Sequence, residues 1–132
     1  MAQDLCARLR EKKLISIVRG VPTEKITKIA DAIYRGGFRF MEITFDQSGK
    51  TPYAVTAEQI RIVREAFDDR LHVGAGTVMT EAQLKLAAEA GAEYIISPNV
   101  DAAIIRATKA VGLISIPGAF TPSSRRPSGL RK

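Results

Sequence analysis

Residues 36–46 read GGFRFMEITFD. Within them Phe38–Phe45 is an aromatic and β-branched run of strand length, and the Gly36-Gly37 pair before it is a helix stop. Alternation puts Phe38, Phe40, Glu42 and Thr44 on one face and Arg39, Met41, Ile43 and Phe45 on the other. A carboxylate late in such a run is unusual. Burying it without a partner costs several kcal/mol, so Glu42 needs hydrogen bonds or a chemical role.

The same rhythm repeats on both sides. Upstream, residues 3–12 suit a short amphipathic helix with Leu5 and Leu9 one turn apart, and Leu14–Val18 suits a strand. A helix follows to about Arg35, capped by Thr23, with Ile26, Ile29, Ala30 and Ile33 on its buried face. Downstream, a helix over 52–67 has Pro52 in its first turn, and Leu71–Ala75 is a strand. Thr80 starts a helix from Glu81 to Ala90, and Gly91 stops it. Strand Tyr94–Ser97, helix 101–110 and strand Leu113–Ile116 complete the series, which runs into Pro117-Gly118. Strands separated by helices of this length require a parallel sheet with right-handed crossovers. Five units fit either an open, doubly wound sheet of the flavodoxin type or the first five-eighths of a (β/α)8 barrel. Periodicity leaves both open, and a length of 132 residues favours the open sheet.

Composition narrows the function classes. A chain with 45% hydrophobic and 26% charged residues has the make-up of one compact soluble domain. Its one cysteine excludes an intramolecular disulfide and a cysteine-rich zinc site, which suits a cytoplasmic location. No apolar run approaches the roughly 18–20 residues that span a bilayer, and the charged start MAQDLCARLREKK has no secretory apolar core. The net charge of +6 is concentrated at one end. Residues 121–132 carry +4 and the other 120 only +2, so a nucleic-acid partner is not expected, nor a membrane.

Strand polarity then gathers the chemistry. In either architecture ligands meet the carboxyl ends of parallel strands. Arg19, Glu42, Thr77, Ser97 and Pro98 all fall there, so an acid, a cation and hydroxyls share one rim. Each has a plainer reading. Glu42 and Arg19 could form a structural ion pair. Gly74-Ala75-Gly76-Thr77 could be a tight strand-to-helix turn, since it lacks the lysine of a phosphate loop. His72 reads as a structural strand residue with no second histidine for a metal, and Cys6 reads as packing. Residues 46–50 (DQSGK) read as a solvated turn beside the rim. No metal and no cofactor is expected.

Five stretches taken together, LISIVRG (14–20), GGFRFMEITFD (36–46), VGAGTVMTEAQL (73–84), AGAEYIISPNVD (90–101) and GLISIPGAFTPS (112–123), resemble the KDPG/KHG aldolases. This is the family of 2-dehydro-3-deoxy-6-phosphogluconate and 4-hydroxy-2-oxoglutarate aldolases. The likeness covers about 120 of the 132 residues in order and spacing. It implies an incomplete (β/α)8 barrel of about five parallel strands with helices on the outer face, residues 1–120 being the N-terminal part of the aldolase domain. It also implies a class I aldolase that cleaves a 2-oxo acid reversibly to pyruvate and an aldehyde through a lysine Schiff base. By motif, Glu42 takes the proton-transfer role, Arg19 and Thr77 hold the carboxylate, Gly76 lets substrate approach the backbone, and Pro98 shapes the wall. Many relatives carry an arginine shortly after the glutamate motif, where this chain has Asp46 and Gln47. The family is often trimeric, so a homo-oligomer is the expected assembly.

The last stretch departs from the family. Thr121-Pro122-Ser123 is a good helix start, yet Ser124 stands where a glutamate would close a capping box, and Pro127 and Gly129 follow. Residues 121–132 therefore read as a basic, disordered or aberrant tail. The family's sixth strand, which bears the Schiff-base lysine, has no counterpart. The eight lysines (Lys12, Lys13, Lys25, Lys28, Lys50, Lys85, Lys109 and Lys132) fall on helices, loops or the terminus, where the amine stays solvated. The expectation is a truncated chain without aldolase activity of its own. The alternative is a half-barrel that oligomerises or binds without catalysis, through open edges on strands one and five and an inner face bearing Ile15, Ile17, Phe38, Phe40 and Val73.

Overall fold

The structure is a computed structural model that describes residues 2–125. Five strands, β1 (Ser16–Val18), β2 (Phe40–Thr44), β3 (His72–Gly76), β4 (Tyr94–Ser97) and β5 (Ile114–Pro117), form one all-parallel sheet in the order β1-β2-β3-β4-β5. A flavodoxin-type sheet would place β2 outside β1, so the sequential order eliminates it. Helices α1 (Ala2–Lys12), α2 (Ile26–Arg35), α3 (Tyr53–Phe67), α4 (Glu81–Glu89) and α5 (Ala102–Ala110) precede or join the strands. This is five-eighths of a (β/α)8 barrel.

Alternation within the strands divides two environments. The side chains of Met41, Ile43, Phe45, Val73, Ala75 and Ile95 point to the helices and pack with Ile26, Ala30, Ile60, Val63 and Leu84 in the main core. The opposite parity, with Phe40 level with His72, Glu42 with Gly74 and Thr44 with Gly76, lines the inner face toward the barrel axis. Val73, expected on the open inner face, belongs instead to the helix-side core because it alternates with His72 and Gly74. Phe40 is also fully buried, against the His72 ring at 4.9 Å and the Tyr94 ring at 6.0 Å between centroids. Ile17, level with Glu42, is the inner residue left open, 65% exposed.

Local signals mostly act as the sequence indicates. Thr80 and Gln83 close a capping box on α4, and Asp101 caps α5 by accepting from Ala103 N–H at 2.9 Å. Gly91 ends the α4 region with φ +93°. Thr23 does not cap α2. It opens a 3-10 turn (Thr23–Lys25), and its hydroxyl accepts from Gln59 Nε2 at 3.2 Å, tying α3 to the loop after β1. Ser124 replaces the missing glutamate better than its type suggests. Its Oγ accepts from Thr121 N–H at 3.1 Å while Thr121 Oγ1 accepts from Ser124 N–H at 3.3 Å, so a short box closes over the turn Ser123–Arg125. The rest of the basic tail, residues 126–132, lies outside the described residues. Among the described residues no helix is long and apolar enough to cross a membrane.

Candidate active site

Four of the expected residues sit at or next to the carboxyl end of a strand, and the fifth, Glu42, points to that end from within β2. Glu42 is only 4% exposed and lies two residues before the end of β2. Its Oε2 is buried and has no hydrogen-bond partner. Burial pushes the Glu42 carboxyl above its ordinary value, and the nearby Arg19 guanidinium offsets part of that rise. Arg19 follows β1, and no guanidinium–carboxylate contact within 4 Å links it to Glu42, so the structural ion pair does not form. Arg19 Nη2 instead donates to Thr77 Oγ1 at 3.5 Å.

Thr77, immediately after β3, has φ +57°, a left-handed conformation that is costly for a β-branched residue. Its carbonyl is held by Gln47, whose Nε2 donates at 2.9 Å. Gln47 thus fixes a strained peptide at the rim, a role its surface-loop setting concealed. Asp46 organises the same loop. It accepts from the Ser48 hydroxyl at 2.8 Å, from Ser48 N–H at 2.8 Å and from Thr51 N–H at 2.9 Å, which together draw its carboxyl down to about 2. The loop and Arg19 line a cleft of about 490 Å³ together with Thr44, Lys50 and Thr51. Pro98 is exposed past β4, where Gly118 N–H donates to the Ser97 carbonyl at 2.8 Å and ties the ends of β4 and β5 together.

The glycines of β3 behave differently from a turn. Gly74 and Gly76 lie inside the strand, in ordinary extended backbone, and both face inward. A Cβ on Gly74 would fall 2.2 Å from the Tyr94 ring, and one on Gly76 would fall 2.0 Å from Glu42 Oε2. The space beside Gly76, expected to admit substrate, is therefore filled by the Glu42 carboxylate. Tyr94 crosses β3 above Gly74, and its hydroxyl donates to the Met41 carbonyl of β2 at 2.5 Å. Burial, with Glu42 and Glu93 nearby, pushes the phenol well above its ordinary value, so it stays a neutral donor. His72 lies on β3 with its Nδ1 3.0 Å from Glu93, which Arg64 also approaches at 3.4 Å, while its buried Nε2 has no partner. The seven lysines among the described residues are all exposed, and none is on a strand. Lys132 lies outside the described residues.

A parallel β/α-barrel segment with a buried, under-bonded carboxylate near its carboxyl rim has the layout of the β/α barrels, which place their ligand sites at that end. A family model described as KDPG and KHG aldolase matches residues 5–126, and the chain belongs to that family. A probable 2-dehydro-3-deoxy-6-phosphogalactonate aldolase of Rhizobium meliloti (strain 1021) is 35% identical over 113 residues, 86% of this chain and 50% of the relative. The 2-keto-3-deoxy-6-phosphogluconate aldolase of Zymomonas mobilis ZM4, solved with 3-phosphoglycerate, superposes with a TM-score of 0.78 at 27% identity. That match covers 94% of this chain and 56% of that one. The KDPG aldolase of Legionella pneumophila, solved with pyruvate as a covalent carbinolamine, superposes with a TM-score of 0.73 at 28% identity over 84% of this chain and 50% of that one. The chain spans about half the length of the curated relatives it matches.

Proposed function

We propose that this chain carries the proton-transfer and carboxylate-binding half of a class I aldolase site. The reaction is reversible cleavage of a 2-oxo acid such as 2-dehydro-3-deoxy-6-phosphogluconate or 4-hydroxy-2-oxoglutarate. The observation that carries this reading is Glu42, a buried carboxylate with a free oxygen beside the Arg19–Thr77 pair. Glutamate is an acid whose pKa burial can bring toward neutrality, which is what a residue that both takes and returns protons needs.

In the complete reaction an amine adds to the 2-oxo carbon, giving a carbinolamine that loses water to become an iminium. The carbon–carbon bond then breaks, its electron pair passing into the iminium as an enamine, while the departing hydroxyl gives up its proton and leaves as the aldehyde. Protonation of the enamine and hydrolysis release pyruvate. Glu42 serves the proton movements on the carbinolamine and the hydroxyl. Arg19 and the Thr77 hydroxyl hold the substrate carboxylate, with Pro98 as wall. Carbonyl capture requires a partly desolvated amine, and the seven described lysines are all exposed and off the strands. On this reading the chain binds pyruvate but does not capture it. The same reading puts it in the cytoplasm, as a homo-oligomer.

Saturation-transfer NMR with pyruvate, followed by cyanoborohydride and intact-mass analysis, tests this. Binding that weakens at least about tenfold in Arg19→Ala, with no covalent adduct, is expected. An adduct on any amine of this chain overturns the assignment of inactivity, and absence of saturation transfer overturns the binding site.

A further inference from the structure

Glu42 and Gly74 are directly opposed across β2 and β3, so the Glu42 side chain would be expected to lie over Gly74. That space is taken. Tyr94, reaching from β4, covers Gly74 with its ring and anchors its hydroxyl on Met41 O. The Glu42 carboxylate is displaced one level toward the rim, over Gly76, where Oε2 would lie 2.0 Å from a Cβ. Neither glycine has the positive φ that would explain glycine by backbone need. Space alone explains both, since glycine inside a strand otherwise weakens it.

We propose that Gly74, Gly76 and Tyr94 are positioning residues that fix the height of the Glu42 carboxylate in the barrel: Tyr94 fills the lower slot on β3 and leaves Glu42 only the upper one. The inference rests on the reading of Glu42 as the proton-transfer residue, and it concerns how that residue is held rather than whether it reacts. The upper slot puts the carboxylate on the level of Thr44, within electrostatic reach of the Arg19 guanidinium though not in contact with it. The titratable or charged groups that bear on it are Arg19, from the loop after β1, and Tyr94, from β4.

The test uses the full chain labelled with glutamate carrying ¹³C at Cδ, the Glu42 signal being assigned by its loss in Glu42→Gln. In the wild type the Glu42 carboxyl titrates above its ordinary 4.5. In Gly76→Ala the added methyl evicts the carboxylate toward solvent, and the midpoint falls back toward 4.5. A folded Gly76→Ala whose Glu42 midpoint does not move overturns the proposal. Should Gly76→Ala fail to fold, the comparison moves to the Glu42→Ala background. There the conflict with Oε2 is gone and only Thr44 Cγ2, at 2.7 Å, must give way. The thermal midpoint lost to Gly76→Ala should be at least halved there, a coupling that a merely structural glycine would not show. No relief in that background overturns the proposal. Absence of pyruvate binding, or covalent capture of pyruvate, bears on the proposed function alone and leaves the Glu42 titration unaffected, so the two ideas fail separately.

Discussion

Replacing Glu42 with glutamine should make the protein more stable at neutral pH. The carboxylate is 4% exposed, one of its oxygens accepts no hydrogen bond, and Arg19 is not in contact with it. A buried polar group left unsatisfied costs about 1–3 kcal/mol, and more when charged. Glutamine keeps the shape and removes the charge, though its amide also lacks a full set of partners. A net gain of about 1 kcal/mol at pH 7.5 is expected, or about 3 °C in Tm for a chain of this size. The gain must depend on pH. Burial raises the folded pKa of Glu42 above the unfolded one, so between the two values the native state binds more protons. Wild-type stability from this group is therefore fully present below the unfolded pKa and falls as pH rises through the folded pKa. Urea titrations at pH 4 and pH 7.5 should find wild type and Glu42→Gln nearly equal at the acid end and separated at the other. A glutamine variant less stable at pH 7.5, or a difference that ignores pH, would refute the picture of an ionised, under-bonded carboxylate.

Gly74→Ala drives a methyl into the Tyr94 ring and should cost about 1–3 kcal/mol in urea unfolding; a loss below about 0.5 kcal/mol would mean that the ring moves freely. Thr77→Gly relieves the left-handed backbone, so Tm should hold or rise by an amount worth about 1 kcal/mol, while pyruvate saturation transfer weakens with the lost hydroxyl; a destabilised Thr77→Gly would contradict the strain. Asp46 has a depressed folded pKa of about 2, so its contribution is present above its unfolded value and disappears as pH falls through about 2. An acid titration of Asp46→Asn should lack that step, and retention of it would assign it elsewhere. The open β1 edge and the exposed Ile17 predict self-association by sedimentation velocity, reduced in Ile17→Asp; a concentration-independent monomer in the wild type would contradict it.

How much of this could be read in advance depended on whether the controlling interaction was local. Strand Tyr94–Ser97 and the start of α4 at Thr80 depend on short-range pattern and capping, and both form at the stated residues. Thr23 does not cap α2 because its hydroxyl is claimed by Gln59, 36 residues away, a competition invisible in a local window. Parity inside β3 is harder to read: the pattern runs the strand over Leu71–Ala75, one residue short of its end at Gly76, and grouping Val73 with the inner residues hides the inward-facing glycine pair. The rim itself, Arg19, Glu42, Thr77 and Pro98, was legible because strand direction alone places those residues at one end. What held them there was not.

A glycine at alternate strand positions, facing a glutamate on one side and a tyrosine on the other, is in retrospect a readable signal. Strand glycines forfeit packing and add unfolded-state entropy, so two on one face imply that something large lies across them. The register of β2 against β3 then names the glutamate, and that of β3 against β4, with Ala75 level with Ile95, names Tyr94. Gln47 has no such signal: its hold on the Thr77 carbonyl depends on a loop whose path Asp46 sets through its own turn. The site is thus fixed in two ways. Its floor is fixed by exclusion of volume within the sheet, and its rim by hydrogen bonds from a loop. The two should respond differently to salt and heat. Loop contacts should loosen well below the unfolding transition, while Glu42 keeps its place until the sheet itself melts. Hydrogen exchange in the loop at residues 46–51, followed alongside the Glu42 carboxyl signal on warming, would separate them, and simultaneous loss of both would show a single cooperative unit.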